Sequence, residues 1–195
     1  MCSLEQVQER FRLALKHLYD NHERLIAIDA NERSITHWLA NAVQAQFEDW
    51  TVDCEYNRKG ELPKNLKYSV ERVSVHNTDG RSVYPDIIVH NRERPENLLI
   101  AEIKKESSKE GPKKDLEKLA DFGSHGDYQY QFGVFAVMGE QRIFLQWFVE
   151  GQPAECEWLL LEEGHSLLVT TPPDEASALE LQLVHHELGR LGFNV

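Results

Sequence analysis

The succession of secondary-structure signals predicts an α/β protein in which helices sandwich a mixed β-sheet. Amphipathic helical periodicity opens the chain, from Ser3 and again from Asn31, and closes it between Asp174 and about Arg190. Between Trp50 and Lys105 apolar and polar residues alternate, as in an antiparallel meander. QFGVFAVMG, from Gln131 to Gly139, is apolar almost throughout, the pattern of a strand covered on both faces. Helices, meander, helix, paired strands and helix in that order place helical layers on both sides of one sheet.

Each element has a local reason. Ser3 followed by Gln6 is a capping box, and Leu4, Val7, Phe11, Leu15 and Leu18 recur at helical spacing, which predicts a helix over 3–19. Asn31 is a suitable N-cap for a second helix whose core face is Ile35, Leu39, Ala42, Val43 and Phe47. WTVDCEYNR alternates as a strand. YSVERVSV and RSVYPDIIVH flank an Asp79-Gly80 turn and predict a β-hairpin, and LLIAEIKK predicts the next strand. Gly111-Pro112 opens a helix with Leu116, Leu119 and Phe122 inward. RIFLQWFVEG follows the apolar strand, and weaker strand signals lie in ECEWLLLE and SLLVTT. Pro172-Pro173 precedes the last helix, with Leu179, Leu183 and Leu188 expected inward.

The 195 residues suit one domain spanning 1–195, and no linker divides them. No apolar run of about 18 residues is present, so no transmembrane helix is expected. MCSLEQVQERF lacks the apolar core of a signal peptide, and Cys2, Cys54 and Cys156 suit a reducing compartment, so a cytoplasmic protein without membrane contact is expected. The net charge of −12 argues against coating nucleic acid through charge alone. Its distribution is uneven: residues 151–195 carry 8 acids and 1 base, whereas 51–100 carry 8 of each. Bases gather at Arg58-Lys59, Arg92, Arg94 and from Lys104 to Lys118. An anionic ligand is therefore expected at the centre of the chain, although charge runs of this kind are ordinarily solvated faces.

The chemistry concentrates on two strands. With a period of 2, Leu98, Ile100, Glu102 and Lys104 share one face of LLIAEIKK. In YPDIIVH, Asp86 lines up with Tyr84, Ile88 and His90, and pairing of the two strands lets Asp86 meet Glu102. Two such carboxylates repel unless a cation neutralises them, and hard oxygen ligands suit Mg2+ or Mn2+. Lys104, two residues along, reaches a water or phosphate oxygen in the same cleft. The plainer account is a strand edge decorated with an ion pair. Glu32 lies on the inward stripe of its helix, where it serves either the helix dipole or the metal site.

Pro85-Asp86, fifteen intervening residues and then Glu102-Ile103-Lys104 resemble the PD-(D/E)xK nuclease superfamily, whose fold is the restriction-endonuclease-like one. The resemblance covers roughly residues 30–140, with a Glu32-bearing helix before the meander and the helix 112–122 and the strand from Gln131 after it. It implies a nuclease-like domain elaborated by the helix 3–19 and the segment 151–195. It also implies a metal-dependent phosphodiester hydrolase, an endonuclease with DNA as the expected substrate. Asp86, Glu102, the Ile103 carbonyl and Glu32 would hold Mg2+ or Mn2+, and Lys104 would position or deprotonate the attacking water. Lys105, Lys113, Lys114 and Arg58 are candidate substrate contacts, and Glu55 and Gln131 are weaker candidates. Cutting both strands of a duplex favours a homodimer or two sequential cuts. The alternatives are a catalytically idle subunit that binds a basic protein through its acidic C-terminal segment, and an acidic mimic of DNA.

Overall fold

The computed structural model describes residues 2–55, 84–124, 128–161 and 175–194, together with short strand pieces at 58–59, 62–63, 65–66, 81–82 and 167–170. Seven strands build one sheet: β1 (Thr51–Cys54), β2 (Ile87–His90), β3 (Asn97–Lys105), β4 (Phe132–Met138), β5 (Arg142–Val149), β6 (Gln152–Leu161) and β7 (Leu167–Thr170). Their order across the sheet is their order along the chain. Every neighbouring pair is antiparallel except β3 and β4. A parallel pair needs a crossover, which the helix α3 (Lys113–Ser124) supplies. The expected α/β architecture with a mixed sheet is therefore present.

Two helices, α1 (Leu4–Ala27) and α2 (Glu32–Gln46), pack against each other over one sheet face. Phe11, Leu15, Leu39 and Val43 meet Val89, Ala101, Val134 and Trp147 there. On the other face α3 and α4 (Glu175–Arg190) cover Ile88, Ile100, Phe135, Phe144 and Trp158. The alternation of β3 is what divides these cores. Leu99, Ala101 and Ile103 belong to the first, and Ile100 to the second. β4 is buried along its whole length, as a strand between two helical layers must be.

The capping box forms as expected, with Gln6 N donating to Ser3 Oγ and Ser3 N to Gln6 Oε1. The helix runs on past residue 19, through a kink at His22, because Leu25 and Ile26 add contacts with the core. It is tied to the sheet by the Tyr19 hydroxyl, which donates to Gly139 O at 2.6 Å, and by Arg12, 2.7 Å from the buried Glu157. Asn31 caps α2 by accepting from Arg33 N.

Several expectations need correction. RSVYPDIIVH is not one strand: Arg81–Ser82 pair with Asn65–Leu66 in a separate ladder, and only Ile87–His90 enter the main sheet, beside β1. Pro85 lies in the break, where its missing N–H cannot serve a ladder. The segment 68–75, expected as the hairpin partner, lies outside the described residues. Leu98 joins the core opposite to Ile100, because the register slips between Val89 and His90. In α4 Leu188 is buried with Val184, but Leu179 and Leu183 are 65% and 48% exposed. The sheet-facing stripe runs one position over from the leucine repeat. The three cysteines are free. Among the described residues no helix is long and apolar enough to cross a membrane.

The seat of α3 rests on a glycine contact. A Cβ on Gly123 would fall 2.1 Å from Gly151 N, in the β5–β6 turn, and Gly151 itself has φ +77°. Backbone cannot yield as a flexible side chain does, so Gly123→Ala should lower stability by about 2 kcal/mol or more. Urea unfolding measures this, and an unchanged midpoint would contradict the packing.

Candidate active site

β2 and β3 end at different heights. Ile87 pairs with Ala101, and β3 continues for four residues beyond that pair, to Lys105. Over this stretch the backbone groups aimed at β2 have lost their ladder partners, and two carboxylates replace them. Ile103 N donates to Asp86 Oδ2 at 2.8 Å, and Lys105 N to Glu32 Oε2 at 3.3 Å. The two amides are about 6.6 Å apart along the strand, so the edge aligns one acidic group from the residue preceding β2 with one from α2. The N–H and C=O of a strand residue point to the same neighbour, so the Ile103 carbonyl also looks toward Asp86.

Extending the register by one residue sets Asp86 opposite Glu102, as the sequence pattern leads one to expect. Glu102 is 1% exposed on the α3 face. One oxygen, Oε2, is in close contact with Lys118 Nζ; the other, Oε1, is buried with no hydrogen-bond partner. Lys104, on the same face, reaches α3 as well, with Nζ 2.7 Å from Asp115 Oδ2. Lys118 Nζ is 3.5 Å from Asp115 Oδ1, which closes a chain of Lys104, Asp115, Lys118 and Glu102.

Burial dominates the acid–base behaviour of this cluster. Desolvation pushes Asp86 up to about 6, against the opposing pull of the Ile103 N–H and Lys118. Glu102 is raised well above the usual carboxylate range, first by burial and then by the charge of Asp86, with Lys118 opposing. For Lys118, burial favours the neutral amine, but Glu102, Asp115 and Asp86 together outweigh it and the net shift is upward.

Asp86 and Glu32 open onto a cleft of about 560 Å³, also lined by Arg33, His37, Glu55 and Tyr84. Glu55 ends β1 with φ 47°, its amide bonded to Asp86 O and its carboxylate 2.9 Å from Arg33. It thus belongs to the cleft wall, beside Asp86. Among the described residues no three His, Cys, Asp or Glu side chains already converge as a metal cage.

The other candidates separate. Lys105 points to the opposite face and binds Asp29 at 2.7 Å, fastening the α1–α2 turn to β3. Lys113 and Lys114 are exposed on the first turn of α3, with Lys113 3.8 Å from Glu117. Arg58 pairs through its backbone with Pro63, and its side chain lies outside the described residues. Gln131 does not reach the site. Its amide bonds Asn97 O, and β4 runs parallel to β3, with Phe135 beside Glu102. Gln131 is therefore about 13 Å away along the sheet. Asp115 and Lys118 join the site beyond the residues that the strand motifs point to, and their signal is helical: Asp115, Lys118, Leu119 and Phe122 fall at i, i+3, i+4 and i+7, on one face.

No protein-family model matches the chain, and no curated protein matches it in sequence.

The Asp86 shift has a sign that can be measured. A carboxyl that holds its proton more tightly in the fold makes stability fall as pH rises from about 4 to about 6, with the full loss present above that. Asp86→Asn keeps an oxygen for Ile103 N and removes the charge. In chelator at pH 7.5 it should be more stable than wild type by about 2 kcal/mol, and near pH 3.5 the two should coincide. Denaturant titrations at both pH values check this; equal stability at pH 7.5 would contradict it.

Proposed function

We propose that the protein is a metal-dependent phosphodiester hydrolase, an endonuclease of the PD-(D/E)xK type acting on DNA. The observation that carries this reading is the orphaned Glu102 Oε1, fully buried opposite Asp86 at the free end of β3. A buried carboxylate oxygen without a partner is unfavourable unless a ligand completes it, and hard oxygen donors suit Mg2+ or Mn2+. Asp86, Glu102 and the Ile103 carbonyl would hold the ion, with Glu32 bound directly or through water. The ion supplies Lewis acidity toward a phosphate oxygen and a more acidic water. The order α2, β1, β2, β3, α3, β4 also agrees with the restriction-endonuclease-like arrangement that the Pro-Asp and Glu-Ile-Lys motifs imply.

The chain's own groups have distinct tasks. Lys104 positions the attacking water and steadies charge developing on the phosphate, which requires that it loosen from Asp115. Asp86, above its shifted pKa, is ionised at neutral pH and available as a ligand. Tyr84, 53% exposed on the cleft wall, offers a ring on which a base can stack, and Arg33 a cation for the backbone. With one site per chain, cutting a duplex favours a homodimer or sequential nicks.

A second reading is supported by the same ion pairs. Glu102 with Lys118 and Lys104 with Asp115 neutralise one another internally, which suits an idle nuclease-like subunit. Its acidic segment 151–195 would then meet a basic protein. Incubation of plasmid, single-stranded DNA and RNA with Mg2+ or Mn2+ separates the two. The first reading expects cleavage that falls at least about a hundredfold in Asp86→Ala and Lys104→Ala. No cleavage of any substrate, with no Mn2+ uptake by calorimetry, leaves the second.

A further inference from the structure

We infer that Lys118 is a tethered counter-ion, which holds the place of the divalent cation in the metal-free protein and is displaced onto Asp115 when the ion binds. The inference rests on the metal-dependent reading above and adds how that site is regulated. Lys118 comes from α3, not from the strands that carry the motif, and its side chain is 17% exposed. Its ammonium touches Glu102 Oε2 and is also electrostatically coupled to Asp86 and Asp115. It therefore bonds one of the two carboxylates a divalent ion would share and feels the charge of the other. Two cations crowded against one buried carboxylate repel strongly where water is scarce.

The route of release is already built. Asp115 lies one turn earlier on α3, with Oδ1 3.5 Å from Lys118 Nζ, so a side-chain rotation passes the ammonium from Glu102 to Asp115 without moving backbone. Asp115 at present also holds Lys104 through Oδ2. Asp115 is already shared by the two lysines, and a closer contact with Lys118 weakens its hold on Lys104 and leaves that lysine free to turn toward the cleft. Metal loading and release of the water-positioning lysine are thereby coupled through one carboxylate.

Lysine labelling of the wild-type protein, read by peptide mass spectrometry with and without saturating Mn2+, tests the displacement. An ammonium turned away from the fully buried Glu102 toward the less buried Asp115 is more accessible, so acetylation of Lys118 should rise severalfold with Mn2+. Unchanged or reduced labelling, with Mn2+ uptake verified by calorimetry, overturns the inference while leaving the metal site standing. Calorimetry on Lys118→Met provides the second arm. Without the competing cation, Mn2+ should bind about tenfold tighter, the equivalent of one hydrogen bond to a charged group. Equal or weaker binding counts against displacement. Absence of Mn2+ uptake by both proteins overturns the metal reading and this inference together.

Discussion

The mismatch in length between β2 and β3 is the constraint on which the site depends. A strand that outlasts its neighbour exposes N–H groups that must be satisfied, and in a half-buried edge water does this poorly. Here Asp86 and Glu32 serve Ile103 N and Lys105 N. Each carboxylate is thereby anchored through one oxygen to a rigid strand, which leaves the remaining lone pairs aimed at the cleft. Had β2 continued past Ile87, its own carbonyls would have taken those amides, and Asp86 would have been one more residue in a ladder. Pro85, with no N–H to donate, ends the pairing at that point.

Electrostatics then sets the price of the arrangement. Asp86 and Glu102 face each other in a water-poor layer, and Glu32 adds a third negative charge at the edge. Lys118 of α3 returns a positive charge to Glu102, while Lys104 of β3 pairs with Asp115 of α3. The balance is incomplete, as the upward shifts of both Asp86 and Glu102 indicate. A fold selected for stability alone would replace such a cluster by apolar side chains of similar volume, which often stabilises. Such an under-neutralised acidic pair beside an open cleft supports the cation-binding reading proposed above.

Much of this was legible in the sequence, for reasons specific to each residue. The meeting of Asp86 and Glu102 follows from the period of 2 and short separation, and the inward position of Glu32 from its distance to Ile35 and Leu39. Local pattern misled at several points. The run 81–90 looks like one strand until the broken ladder at Pro85 is seen. Leu179 and Leu183 suggest a buried stripe, yet the choice of helix face depends on packing with Phe135 and Phe144 across the sheet, which no local window contains. Gln131 could be misplaced because a strand start says nothing about which end of the sheet it occupies. Asp115 and Lys118 carry only a weak signal, because charged residues bounding an apolar helical face ordinarily mark its limit.

The position of those two residues is nonetheless dictated by topology. β3 and β4 are parallel, so the chain leaving β3 at the Lys105 end must travel back along the sheet before β4 can begin. The connecting helix therefore starts above the end of β3 and finishes near the start of β4, as the bond from Tyr130 N to Phe122 O reflects. Whatever stands in the first turns of α3 consequently overhangs Glu102 and Lys104, and whatever opens β4 lies at the far end. Asp115 and Lys118 are at the site for the same reason that Gln131 is not. The positive pole of the α3 N-terminus points into the same region, where it favours the negative charge that the cluster retains. In an α/β sheet the carboxyl ends of parallel strands are where a crevice can open, and the overhang of β3 lies at such an end. One parallel pairing thus brings the helix-borne Asp115 and Lys118, the dipole and the free strand edge to a single point.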